Sequence, residues 1–210
     1  MLNILYEDNH ILVVIKPKGI LSQADGSDKE DMLSLLKNYI KEKYQKPGNV
    51  YLGLVHRLDL FTSGIMVFAR TSKAASRLSE QIQKHEFIKK YLAVVEGIVE
   101  EDKTLISHIL KNEKEKKSYV DSKGQEAILS YTVLDHRKDC TLVDITLETG
   151  RFHQIRCQFS SMGHPLYGDS KYGSKHVISS YDFPLEAYSL SFLHPVTKKR
   201  LTFEHKTLHL

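Results

Sequence analysis

Three ionisable side chains fall within four consecutive positions of one short segment of this 210-residue sequence. They are His56, Arg57 and Asp59, and two apolar residues precede them. Thr62-Ser63-Gly64 then turns the chain into an apolar run. Catalytic groups are often held this way, on a loop between rigid elements. Asp59 is therefore a candidate catalytic carboxylate, although the spacing alone fits a polar turn with a surface ion pair at least as well.

A second segment, residues 148–173, contains a candidate arginine. At about 100° per residue, a helix over residues 152–162 gathers three apolar side chains on one face. These are Phe152, Ile155 and Phe159. Arg156 falls at the edge of that face, while Gln154 and Gln158 point away from it. Because a guanidinium does not lose its proton, a buried Arg156 needs a carboxylate partner. Otherwise it extends to water from the helix end.

A third segment, residues 89–97, alternates like a strand and begins with two lysines followed by Tyr91. A tyrosine in a strand usually packs against its cross-strand neighbours. Unstacked RNA bases, however, are commonly held on aromatic faces. Tyr91 is therefore either a core residue or a platform for a base.

Composition and charge limit the class of protein. Hydrophobic residues make up 41% and charged residues 27%, as in soluble globular proteins. The net charge of +4 and the pI near 8.8 fit a nucleic-acid partner without requiring one. The start of the chain lacks the features of a signal peptide. The apolar run from Ile11 to Ile15 is too short to span a membrane, so we expect a cytoplasmic protein without a membrane partner.

Neither the cysteines nor the histidines indicate a cofactor or metal. Cys140 and Cys157 belong to no CxxC pair, and the eleven histidines lack paired ligand spacing. We therefore expect no metal and no cofactor, and a metal-dependent hydrolase is a weak alternative. The densest basic stretch contains Lys111, Lys114, Lys116 and Lys117. Glu113 and Glu115 interrupt it, so it fits a solvated loop and an RNA-facing loop equally well.

Strands and helices interleave along the chain without strict alternation. The apolar patterns predict strands at residues 11–15, 63–70, 91–99 and 143–147, and two more within residues 187–203. They predict helices at residues 31–44, at 152–162, and from a cap at Thr71 or Ser72 to about Ile82. This pattern favours an α+β fold with a mixed, largely antiparallel sheet and flanking helices. The length predicts a single domain over residues 1–210.

Four segments, taken together, resemble the RluA-type pseudouridine synthases. HRLDLFTSG at residues 56–64 resembles the family's HRLD pattern followed closely by TSG. Lys16-Pro17-x-Gly19, then Lys90-Tyr91-x-Ala93-x-Val95-x-Gly97, then GRFHQIR with GHPLYGD also match in the family's order. The match covers roughly residues 10–173. His56 favours this type over the related small-subunit type, which has glycine before the RLD.

The resemblance implies roles for individual residues. Asp59 corresponds to the essential catalytic aspartate, and Tyr91 to the tyrosine that stacks on the flipped base. Arg156 corresponds to the arginine paired with the aspartate, so the two side chains should approach to about 3 Å. Arg57 corresponds to the arginine that enters the RNA stack in place of the extruded uridine.

Further RNA contacts are expected from four residues in or next to the matching motifs, namely Lys16, His56, Arg151 and Gln154. Leu60-Phe61 stands where the family often has a charged or polar pair, which leaves the catalytic residues unchanged. The family's common S4-type RNA-binding domain is expected to be absent, because the catalytic strands begin within the first fifteen residues.

The resemblance implies a catalytic fold with a central RNA-binding cleft, acting as a monomer on a uridine in an rRNA or tRNA stem-loop. The N1 glycosidic bond is broken and the base is rejoined through C5. Asp59 either attacks the sugar or base, or stabilises a cleaved-sugar intermediate. Tyr91 is only a candidate for the group that removes the C5 proton. A non-catalytic RNA-binding protein on the same fold is the alternative, which the presence of Asp59 and Arg156 disfavours.

Overall fold

The computed structural model describes residues 2–210, which fold into an α+β structure. The strands are β1 (Asn3–Glu7), β2 (Ile11–Lys16), β3 (Gly53–Leu54), β4 (Ser63–Ala69), β5 (Ile88–Glu96), β6 (Lys103–Asn112), β7 (Lys117–Val120), β8 (Gln125–Arg137), β9 (Cys140–Leu147), β10 (Leu185–Leu193) and β11 (Arg200–Glu204). The α-helices are α1 (Met32–Lys43), α2 (Ser72–Gln83) and α3 (Gln154–Ser161). The predicted α+β class with a largely antiparallel sheet is confirmed.

The chain divides into two compact units. The first unit contains the chain up to Phe87 together with Ser189–His205, and the second contains Ile88–Tyr188 with Lys206–Leu210. Strand β10 is divided between them, because residues 185–188 belong to the second unit and residues 189–193 to the first. The expectation of one domain over residues 1–210 stays a prediction.

In the first unit, β2 and β4 form the centre because both are almost entirely apolar. They pair antiparallel from Ile11 opposite Ala69 to Lys16 opposite Gly64, and most of their side chains are fully buried. Strand β1 pairs with β2, and β3 pairs with β4. Helix α2 contributes Ala74 to the core cluster that contains Ile11.

Side-chain caps determine where the first two helices begin. Asp31 accepts a hydrogen bond from the Ser34 N–H at 3.0 Å and starts α1, and Thr71 accepts from the Ala74 N–H at 3.1 Å and starts α2. The cap of α2 is thus Thr71 rather than Ser72. Each of these helices has 12 residues, and within residues 2–210 no helix is long and apolar enough to cross a bilayer.

The second unit contains antiparallel strands in the order β5, β9, β8, β6, β7. The patterns predicted β5 and β9 but not β6, β7 and β8. On β8, Ala127, Leu129 and Tyr131 are buried, whereas the alternate positions carry mostly polar or charged residues. The basic stretch predicted as a loop instead ends β6, forms a tight turn and begins β7.

Helix α3 is shorter than the predicted helix and is covered on more than one side. Gln154 is 3% exposed and Gln158 is 1% exposed, so the prediction that both point away from the packed face is wrong. Because α3 packs against β6 and β7, its polar side chains also contact other parts of the protein. Gln158 Nε2 donates to the backbone carbonyl oxygens of Leu105 at 3.3 Å and Ala127 at 3.1 Å.

Candidate active site

Asp59 lies on a turn whose backbone is held by hydrogen bonds before and after it. Its side chain is half-buried, and its carbonyl oxygen accepts from the Thr62 N–H at 3.1 Å. One residue earlier, the Leu58 N–H donates to Ser22 Oγ at 3.0 Å, and that hydroxyl donates to the Leu58 carbonyl at 2.8 Å. The carboxylate is therefore attached to a backbone with little freedom to move.

Lys16 holds the other side of this turn. Its side chain is completely buried at the end of β2. Its amine donates to three backbone carbonyl oxygens, those of Pro17 at 3.0 Å, Ile20 at 2.7 Å and Leu60 at 3.1 Å. The Gly19 N–H donates to the same Leu60 carbonyl at 2.9 Å. Lys16 thus fastens the loop that follows β2 to the turn that carries Asp59.

The position of Lys16 differs from the RNA contact expected from the sequence. A side chain with no exposed surface does not reach RNA without rearrangement, so we interpret Lys16 as a residue that positions Asp59. Burial lowers the pKa of Lys16 from 10.5 to about 8, and the negative charge of Asp59 opposes that shift. At neutral pH the attraction between the two groups favours the charged form of both.

His56 and Arg57 have different surroundings. His56 Nε2 accepts a hydrogen bond from the Val67 N–H on β4 at 3.1 Å, so a neutral imidazole carries its proton on Nδ1. The ring also meets Phe87 edge-on, with 6.3 Å between ring centroids. His56 therefore anchors the start of the turn to the sheet. Arg57 is exposed.

In the second unit, Arg156 is fixed by a carboxylate that the sequence analysis did not identify. Arg156 Nε donates to Asp169 Oδ2 at 2.7 Å, and Nη2 donates to Asp169 Oδ1 at 2.8 Å. The Asp169 side chain is 2% exposed and that of Arg156 is 14% exposed. The only sequence signal for this pair was the matching GHPLYGD segment that ends in Asp169. The predicted approach of Asp59 to Arg156 stays a prediction.

His153 connects Arg156 to Tyr172. A guanidinium only donates, so the 3.0 Å contact between Arg156 Nη1 and His153 Nε2 requires an unprotonated Nε2. The proton then lies on Nδ1, which donates to the Tyr172 hydroxyl at 3.0 Å, and that oxygen also accepts from the Ser118 N–H at 2.8 Å. Burial, aided by the positive charge of Arg156, lowers the pKa of His153 to about 3. The imidazole is therefore neutral and accepts from the guanidinium.

The other predicted site residues of this unit lie in the sheet and in the turn before α3. Tyr91 is on β5 opposite Ile145, and its side chain is buried. Gln154 Oε1 accepts from the Thr149 hydroxyl at 2.8 Å and from the Arg151 N–H at 3.0 Å. Gln154 therefore holds the turn before α3 rather than presenting its amide at the surface.

Arg151, in the turn before α3, bonds to the backbone of β8. Arg151 Nε donates to the Glu126 carbonyl at 2.8 Å, and its side chain is partly exposed. In the part of the chain that the structure describes, no group of three His, Cys, Asp or Glu side chains is placed to hold a metal ion.

Known proteins of similar sequence match this chain over most of its length. Residues 10–161 match the family described as RNA pseudouridylate synthase. The chain belongs to this family. It is therefore an RNA pseudouridine synthase, an isomerase. An uncharacterized RNA pseudouridine synthase of Bacillus subtilis, YlyB, is 36% identical over 206 residues, which cover 97% of this chain and 68% of that protein.

A second relative and one solved structure also match the chain. The ribosomal large subunit pseudouridine synthase D of Pseudomonas aeruginosa is 35% identical, with 97% of this chain and 67% of that protein covered. The solved structure of human RNA pseudouridylate synthase domain containing 4 has a TM-score of 0.79 at 23% identity, with 97% of this chain and 88% of that chain covered. At that identity the structural match supports the fold alone.

The buried amine of Lys16 makes the free energy of unfolding depend on pH. Its folded pKa of about 8 lies below 10.5, so between these values the unfolded chain binds more protons. The stability of the wild type relative to Lys16→Met should therefore rise across this window, by about 3 kcal/mol at its upper end. Urea denaturation of both proteins at each pH measures the difference. Lys41→Met, at an exposed lysine, serves as the control. If the free energy of unfolding of the wild type minus that of Lys16→Met stays constant or falls across this window, the buried position of Lys16 is contradicted.

Removing Asp169 should destabilise the second unit strongly. Asp169→Ala leaves the guanidinium of Arg156 largely buried without this carboxylate, which should cost about 3–5 kcal/mol of unfolding free energy. Denaturant unfolding monitored by circular dichroism measures the loss. Glu80→Ala is the matched control, because it breaks an exposed pair with Lys84 and should hardly shift the midpoint. Equal effects of the two substitutions would mean that water solvates Arg156 adequately.

Proposed function

We propose that this enzyme converts uridine to pseudouridine in large-subunit ribosomal RNA, with Asp59 as the catalytic carboxylate. The observation that carries the proposal is the fastening of the Asp59 turn by Lys16 and Ser22. A surface ion pair does not need a turn held on both sides by buried donors. A carboxylate that must approach one carbon atom of a substrate needs such a turn, because small errors in its position slow catalysis about 100-fold.

The reaction is an isomerisation, and its atoms balance without a second substrate. The bond between N1 and C1′ breaks, the uracil turns, and a bond between C5 and C1′ forms. The proton on C5 leaves, and N1 gains a proton. Asp59 acts in its ionised form, either as a nucleophile or by stabilising positive charge on the sugar. Its attraction to the ammonium group of Lys16 supports that ionised form.

Arg57 and Tyr91 are proposed to offset the cost of flipping the uridine out of the RNA helix, which is a few kcal/mol. The exposed guanidinium of Arg57 is available to fill the vacated place in the stack. Tyr91 is proposed to stack on the extruded base, which rests on its position in the Lys90-Tyr91-x-Ala93 motif. Arg151, partly exposed before α3, is proposed as an additional contact to phosphate.

Arg156 is proposed to pair with Asp59 while Asp169 and His153 orient its guanidinium plane. A guanidinium carries five N–H donors, so one arginine can bond to more than one carboxylate. A guanidinium bonded at two of its nitrogens by one carboxylate also has a fixed orientation. A lysine at position 156 would keep the charge but not this geometry.

The proposal of ribosomal RNA rests on the printed names of relatives, several of which are ribosomal large subunit pseudouridine synthases. The family match at residues 10–161 draws on both compact units, which supports their acting as one catalytic domain. We propose that the enzyme works as a monomer in the cytoplasm.

Mapping pseudouridines in cellular RNA tests the proposed function. Deleting the gene should remove pseudouridine from one or a few uridines of large-subunit ribosomal RNA. The wild-type gene should restore them, whereas Asp59→Asn should not, because it keeps the shape of the side chain and removes its charge. The purified Asp59→Asn protein should still bind ribosomal RNA in a filter-binding assay.

The outcomes separate the parts of this proposal. Restoration by Asp59→Asn would exclude Asp59 as the catalytic group. If pseudouridine disappears only from transfer RNA, the proposed reaction stands and the proposed ribosomal RNA substrate is wrong. An unchanged map in the deletion strain would contradict the proposed function for this gene.

A further inference from the structure

The hairpin formed by β6 and β7 contains a surface groove that the proposed chemistry does not use. Its volume is about 430 Å³. Its lining residues are Leu110, Lys111, Asn112, Glu113, Lys114, Tyr119 and Asp121. All of them belong to the second unit, and together they combine apolar, aromatic, cationic and hydrogen-bonding groups.

The apolar part of the groove is a cross-strand pair that faces solvent. Leu110 lies opposite Tyr119, and these side chains are 42% and 40% exposed. Ile106 is four residues before Leu110 on β6, so it lies on the same face of the strand, and it is 67% exposed. An exposed aromatic beside exposed aliphatic side chains is the kind of surface on which an unpaired base stacks.

The charged part of the hairpin is predominantly basic. Residues 110–123 contain five lysines and three carboxylates. Lys111 is paired with Glu113 at 2.7 Å, at an exposed position where such pairs exchange readily with other ions. Lys117 lies over the ring of Tyr119, 5.2 Å from its centroid. Lys171 adds a further cation, because its amine donates to the Lys116 carbonyl at 2.9 Å.

The hairpin is continuous with the surroundings of Arg156. Lys117 also lies over the ring of Tyr172 at 5.1 Å, and Tyr172 is bonded to His153. Lys111 lies over the ring of Phe152 at 4.7 Å. The charges of Lys171 and Lys111 contribute to the lowered pKa of His153. Two lysines of the hairpin, Lys111 and Lys117, therefore contact aromatic rings in the surroundings of Arg156.

We propose that this hairpin binds an unpaired stretch of the substrate RNA that flanks the modified uridine. A base stacks in the groove against Leu110 and Tyr119, and the phosphates beside it contact Lys111, Lys114 and Lys117. Asp121 at the groove wall is an acceptor for the amino groups of bases. The inference rests on the proposed function in assuming an RNA substrate. It adds that the enzyme recognises a single-stranded segment in addition to the target nucleotide.

Binding of two defined probes tests the groove. The probes are a fluorescein-labelled 12-nucleotide RNA of mixed sequence and the same sequence as a 12-base-pair duplex, both followed by anisotropy. Tyr119→Ala should weaken binding of the single strand about tenfold, because one stacked base is lost, and should leave duplex binding within about twofold. Tyr119→Phe should bind like the wild type. Tyr51→Ala, at an exposed tyrosine of the first unit, is the control.

The salt dependence tests the lysines. If two phosphates are neutralised, Lys111→Ala/Lys114→Ala should reduce the slope of log K against log salt by about 1.4 for the single strand. Lys41→Ala/Lys46→Ala removes the same charge from an exposed part of the first unit and should leave the slope unchanged.

In wild-type protein, 4-thiouridine in the single strand should cross-link to residues 110–121. This test does not depend on a variant that folds correctly.

The results distinguish this inference from the proposed function. Wild-type protein that forms pseudouridine, together with hairpin variants that bind the single strand like their controls, would overturn the inference alone. Equal losses on the single strand and the duplex would overturn the stacking groove, because the hairpin would then contact only phosphates. Cross-links confined to other segments would overturn it as well. If the wild type neither binds nor isomerises RNA, the proposed function fails too.

Discussion

A lysine amine without access to solvent bonds to three backbone carbonyls at the end of β2. This arrangement has a cost, because burial disfavours the ammonium form. One of the three acceptors is the carbonyl of Leu60, in the turn that carries Asp59. The central pair of strands in the first unit thereby fixes the position of the candidate catalytic carboxylate.

The second unit fixes its charged group in a comparable way. The guanidinium of Arg156 is bonded on one edge by Asp169 and at Nη1 by a neutral His153. His153 is held in turn by Tyr172, which also bonds to the backbone of β7. In both units a charged side chain obtains its direction from buried neighbours rather than from solvent. Charged groups held in this way are oriented before any substrate arrives, which is what electrostatic catalysis requires.

The sequence predicted the elements whose pattern is local. The apolar run of β2, the helical spacing of residues 31–44 and a cap at Thr71 or Ser72 need no information from distant residues. The strands of the β6 to β8 region were not predicted, although β8 alternates between buried apolar positions and mostly polar ones, which is a strand pattern. Lys16 and Gln154 were expected to contact RNA because they lie in motifs that match the family. Their partners include Leu60 and Ile128, which only the folded chain brings close. Asp169 was missed because a carboxylate in a glycine-rich turn usually has a local role.

The ratio of turnover to RNA affinity in Lys16→Met tests most directly whether Lys16 acts through the Asp59 turn. If it does, kcat should fall by about 100-fold, because the carboxylate loses its position, while the Kd for RNA stays within about threefold of the wild type. The variant's folded fraction, measured by circular dichroism at the assay temperature, separates lost positioning from unfolding. A folded variant that keeps its kcat but loses RNA affinity would contradict the account, since Lys16 would then be an RNA contact.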